Sequence, residues 1–153
     1  MKLQRQSAEK LTRFMKLIPK GGDETLITLK GHLLVEELLT EILIKRLGKH
    51  NPLGIEISSR MMFNQKLNYC WSLIQNELSN DLWISLKKLN SIRNKMAHAV
   101  EPEGITSKID SFTNMVMNSS GYAMPETNEN KLEYSLAWLY ILLNEHLHNE
   151  QNS

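Results

Sequence analysis

Apolar residues recur along this chain at steps of three, four and seven, and Gly or Pro falls between the periodic stretches. Residues 5–18 predict a short helix with Leu11, Phe14, Leu17 and Ile18 on one side, ended by Pro19 and Gly21-Gly22. Asp23 is placed to cap a long helix running to about Leu47. Its apolar positions, among them Leu26, Leu29, Leu33, Leu34, Leu38, Ile42 and Leu43, cover a wide arc. Such an arc predicts a central helix packed on more than one side. After the Asn51-Pro52-Leu53-Gly54 loop, a helix fits from about Ser59 to Leu78, with Met62, Leu67, Cys70, Trp71 and Ile74 as buried candidates. Ser79-Asn80-Asp81 breaks that run and caps the next, in which Leu82, Leu86, Leu89 and Met96 mark one face up to Ala97. A shorter helix fits Thr106 to Val116, a polar loop fits 118–130, and a last helix fits Glu129 to Leu147.

The pattern contains no alternating strand and no repeat, so the expected architecture is an all-α single-domain bundle of four to five main helices. Residues 23–149 form its expected core, and residues 1–22 an N-terminal extension or short helix. A length of 153 residues suits one domain with one sizeable core.

Charge narrows the function. Eighteen Lys and Arg against seventeen Asp and Glu leave +1, so nucleic acid would have to be held by a local cluster of cations rather than by a basic surface. The single cysteine, Cys70, leaves no intrachain disulfide and no thiolate zinc site, and its Tyr69 and Trp71 neighbours suggest a buried, inert thiol. The most apolar stretch, Leu33 to Leu47, is interrupted by Glu36, Glu37, Glu41, Lys45 and Arg46 and does not suit a bilayer. The N-terminus has no apolar signal-peptide core, which leaves the cytoplasm as the expected compartment.

Candidate chemistry concentrates in Arg93-Asn94-Lys95-Met96-Ala97-His98. Arginine neutralises a phosphate and histidine exchanges a proton near neutral pH, so the pair suits metal-free cleavage of a phosphodiester. On an ideal helix, positions five apart differ by roughly 140°, so Arg93 and His98 do not converge, whereas Asn94 and His98 share a face. A fraying helix end, or a second copy related by a two-fold axis, would complete the site. The chemistry would then be RNA-specific: the ribose 2′-hydroxyl attacks phosphorus, His98 relays the proton, Arg93 stabilises the phosphoryl oxygens, and Asn94 orients the imidazole or the phosphate. Lys87, Lys88 and Lys95 would attract the backbone.

The segment Leu89 to His98, with Gly31 to Leu39 and Phe63 to Leu67 before it, resembles the HEPN superfamily of small α-helical ribonucleases. The same order of segments, from about Thr28 to Val100, is similar to the mannitol operon repressor family. The first resemblance implies a homodimeric, metal-independent endoribonuclease with Arg93, Asn94 and His98 as catalytic residues, needing no cofactor. It also implies a role in toxin–antitoxin or antiphage systems, with an antitoxin or regulatory protein as a further partner. Some HEPN toxins carry a tyrosine two residues after the histidine as a site of inactivating nucleotide transfer; that position here is Val100.

Other polar residues have plainer readings. Glu36 or Glu37 could hold Arg93, or either could pair along a polar stripe. His32 could bond locally to Glu36, and His146 and His148 read as solvated C-terminal side chains. Trp71, Trp83 and Trp138 read as core or interface residues before base-stacking ones. For the motif itself the alternative is a helix end, with His98 on terminal carbonyls and Arg93 in a surface ion pair.

Overall fold

The structure, a computed structural model, describes residues 1–121 and 128–149. It is all-α, with six helices among the described residues: α1 Lys2–Leu17, α2 Glu24–Lys49, α3 Phe63–Ile74, α4 Asn80–His98, α5 Ile105–Ser120 and α6 Asn128–Leu147. Of the polar loop expected over 118–130, residues 118–120 belong to α5 and 128–130 to α6, and 122–127 lie outside the described residues.

α2 is the central element and packs on α3, α4 and α6. The Asp23 carboxylate accepts from the Thr25 N–H at 2.9 Å, Glu24 occupies the first turn, and Arg46 and Lys49 the last, so both helix ends are chemically complemented. Leu34, Val35, Leu38, Leu39, Ile42 and Leu43 are buried, which gives the wide apolar arc its partners on several sides. Leu26 and Leu33 do not join them; Leu33 is 59% exposed, on the one face of α2 that stays open to solvent with Lys30 and Glu37.

α1 is a sixth helix integrated with the bundle. Phe14 stacks on Tyr140 of α6 with ring centroids 4.4 Å apart, and the Asn144 amide donates to the Ser7 carbonyl at 3.0 Å. α3 is shorter at both ends than the periodicity suggests. It starts only at Phe63, where the Gln65 side chain accepts from the Met62 N–H at 2.9 Å. Met62, outside the first turn, is therefore exposed, and Trp71, at the edge of the face that buries Leu67, Cys70 and Ile74, is 48% exposed. α5 extends to Ser120, four residues beyond Val116, and ends at Gly121 in the left-handed region.

Candidate functional site

α4 carries the motif and its register decides what each residue faces. The Ser79 hydroxyl caps it by accepting from the Leu82 N–H at 3.2 Å. Leu82, Leu86, Leu89 and Ile92 recur at steps of four, three and three and are buried against the core. That burial turns the remaining arc, with Lys87, Asn90, Ser91, Asn94, Lys95 and His98, toward a cleft. The cleft has a volume of about 540 Å³. Asn64 at the start of α3 forms another wall, and Pro102 and Glu103, in the turn before α5, close a further side. Gly104 makes that turn possible, since its φ of +69° lies in the left-handed region that glycine adopts without strain.

The motif is split by this geometry. Asn94 and His98 line the cleft, as their four-residue spacing requires. Arg93 does not line it; it is half-buried, and its Nη1 donates to the Asn94 Oδ1 at 3.4 Å. α4 stays helical through His98 and does not fray at Ala97. His98 is exposed and has no hydrogen-bond or ion-pair partner among the described residues, so neither arm of the helix-end reading, a capped carbonyl or an Arg93 ion pair, is present there.

The three lysines have different surroundings. Lys87 is exposed at the cleft, and Lys95 lines it with its Nζ donating to the Glu103 carbonyl at 3.3 Å. Lys88 instead donates to the Ser111 hydroxyl at 2.8 Å, bracing α4 against α5 outside the cleft.

Glu36 and Glu37 do not hold Arg93. Glu36 pairs with the buried Lys66 at 3.0 Å, and Glu37 takes both terminal nitrogens of Arg13, at 2.6 and 3.2 Å. Both partner cations come from other helices, α3 and α1, so neither carboxylate is left for Arg93 of α4. His32 likewise bonds across the bundle rather than to Glu36. Its Nε2 lies 3.0 Å from the Asn90 Oδ1, and its ring packs 4.2 Å from that of Phe63. Burial lowers the His32 pKa and Arg93 adds to the effect, against the Asn90 bond and Glu36, which raise it. Beneath the cleft therefore lies a polar layer of His32, Glu36 and Lys66 that connects to it through Asn90.

At the far end of the bundle, His146 is buried rather than solvated, with its Nε2 3.3 Å from the Glu77 carboxylate. His148 Nδ1 lies 2.9 Å from the Asn144 carbonyl. Trp83 is buried and donates to the Gln75 carbonyl at 3.2 Å, Trp138 packs against the core, and Cys70 is buried with its thiol pushed up to about 12 by desolvation. No group of three or more potential metal ligands is found among the described residues. No helix of the described residues is long and apolar enough to cross a membrane. A second cleft, of about 600 Å³ between α1, α2 and the end of α6, contains none of the motif residues, and its Lys10 and Glu41 are paired with each other at 2.7 Å.

Asn64, Asn90, Ser91 and Glu103 join the cleft without having been singled out in the sequence. Asn90 and Ser91 carried a usable signal, since Asn90, Asn94 and His98 are spaced by four and Ser91 lies three before Asn94. Asn64 and Glu103 carried none. Comparison with known protein families, with curated proteins and with solved structures finds no match to this chain.

Proposed function

We propose that the chain is a HEPN-type, metal-independent endoribonuclease that acts as a homodimer in the cytoplasm, as a toxin or an antiphage effector. The observation that carries the reading is the opening of Asn94 and an unpartnered His98 onto one cleft together with Lys87 and Lys95. In that cleft the ribose 2′-hydroxyl attacks the adjacent phosphorus, and the bond to the 5′-oxygen of the next nucleotide breaks. A 2′,3′-cyclic phosphate and a free 5′-hydroxyl result. His98 moves the proton between these two oxygens, and Asn94 holds a phosphoryl oxygen. Arg93 does not line the cleft of its own chain, so its charge reaches the phosphate directly only through a second copy whose α4 end meets the first across a two-fold axis. An antitoxin or regulatory protein that covers His98 would silence the enzyme.

The test is incubation of the purified protein with single-stranded RNA in EDTA. Cleavage with cyclic-phosphate ends is expected, and His98→Ala should abolish it with an unchanged circular dichroism spectrum. Cleavage that survives in the variant would refute the assignment. The absence of Arg93 from the cleft lining favours one alternative, a non-catalytic partner-binding bundle like the mannitol operon repressor family. A stable protein complex captured through the His98 face, with no cleavage at any protein concentration, would select it.

A further inference from the structure

The three polar α4 side chains in the middle of the cleft wall share one arrangement. Asn90, Ser91 and Asn94 each have an oxygen engaged by a residue that does not line the cleft. His32 Nε2 lies 3.0 Å from the Asn90 Oδ1, Lys108 Nζ donates to the Ser91 Oγ at 3.0 Å, and Arg93 Nη1 donates to the Asn94 Oδ1 at 3.4 Å. An amide whose oxygen is occupied has its NH2 group left to offer, and a hydroxyl whose oxygen accepts can still donate its proton.

We infer that His32, Lys108 and Arg93 are positioning residues that orient Asn90, Ser91 and Asn94 so that the cleft wall presents hydrogen-bond donors to a phosphate oxyanion. The inference rests on the proposed ribonuclease reading for the identity of the phosphate, an RNA phosphodiester, but not for the presence of the site. His32 suits the task because the Asn90 Oδ1 faces its ring, which makes Nε2 the donor, and because its burial against Phe63 fixes the ring plane. Lys87 and Lys95 add positive charge at the same wall. Glu103, in the turn before α5, is the one carboxylate among the lining residues, and its backbone carbonyl accepts from Lys95. Arg93 thereby gains a role within its own chain, acting through Asn94.

The donor wall also says which part of an RNA it takes. Recognition of adenine by an amide needs the amide oxygen as well as its NH2, and here one of the two acceptor positions on the oxygens of Asn90 and of Asn94 is already engaged, while both NH2 groups are free to donate. The wall's free donors therefore suit backbone phosphate oxygens before base edges.

The test is solution NMR of the full chain with 15N-labelled asparagine, titrated separately with inorganic phosphate, single-stranded oligouridylate and uridine. The side-chain NH2 resonances of Asn90 and Asn94 should shift saturably with phosphate and with oligouridylate, and not with uridine. His32→Leu, which removes the donor behind Asn90, should weaken binding about tenfold, the factor attached to one hydrogen bond. His32→Gln, which restores a donor to Asn90, should recover most of that loss. Lys108→Met lies outside the core and should weaken binding about threefold, so it carries the test if His32→Leu does not fold. Unmoved amide resonances, or unchanged affinity in both His32→Leu and Lys108→Met, would overturn the inference. Shifts with inorganic phosphate but not with oligouridylate, together with intact RNA in EDTA, would retain the anion site and reject the ribonuclease. RNA cleavage without any shift at Asn90 or Asn94 would do the reverse.

Discussion

Lys66 and Glu36 are unequal partners. Lys66 is 6% exposed in the layer beneath the cleft, whereas the Glu36 carboxylate is closer to solvent. Removing one member of a buried pair costs most when the charge left behind cannot reach water. Glu36→Gln should therefore destabilise the protein by about 3 kcal/mol, and Lys66→Met by less, since Glu36 can rehydrate and methionine fills the same space. Urea unfolding of the two variants measures the order, and a larger loss in Lys66→Met would contradict the burial. This pair also marks how far individual residues were legible. The chemistry of Arg93, Asn94 and His98, and the common face of the last two, follow from helical spacing. The partners of Glu36, Glu37 and His32 do not, because they come from α3, α1 and α4, and docking between helices is not written in local periodicity. His146 reads as a tail residue for the same reason: the packing of α6 beside Ile42, Lys45 and Arg46 of α2, with Glu77 against it, brings it into the interior.

At the scale of elements, α2 and α6 approach each other at Gly31. A Cβ placed there would lie 2.6 Å from Leu136 Cδ1 and 2.9 Å from Cδ2, and Leu136 is fully buried. Alanine gains about 1 kcal/mol over glycine in helix propensity, whereas overpacking a filled core costs about 1–3 kcal/mol. The close contact decides the sign, and Gly31→Ala should destabilise by about 1 kcal/mol net. In a Leu136→Ala background the same substitution should become neutral or stabilising, a coupling of at least about 1 kcal/mol. Additive effects in the double-mutant cycle would mean the helices do not meet there. Helix ends were legible where a side chain closes them, as at Asp23 and Ser79, and less so elsewhere. α3 begins four residues later than its apolar pattern suggests, because Met62 continues the spacing without having a surface to pack on.

Across the whole molecule, two histidines link the fold to pH. His32 sits between α2, α3 and α4, and His146 joins α6 to Glu77, which is also held by Arg46 of α2. Desolvation lowers both imidazoles from the ordinary value of 6.5; at His146 the nearby Arg46 and Lys45 add to this, against the Glu77 hydrogen bond and charge. Below 6.5 the unfolded chain takes up protons at both sites before the folded one does, so stability rises with pH in that window and falls as pH drops through it. Glu77 acts further down. Burial raises its pKa, but the hydrogen bonds from Arg46 and His146 and their charges outweigh this and leave it below 4.5, so its contribution is lost as pH falls beneath that value. Denaturant midpoints should be flat from pH 8 to 7, decline from about 6.5 downward, and steepen again below about 4.5. His146→Gln should reduce the first decline and leave the part owed to His32. A midpoint that rises between pH 6.5 and 5 would mean that the folded state prefers charged imidazoles, and would place both rings nearer to water or to carboxylates than their burial here allows.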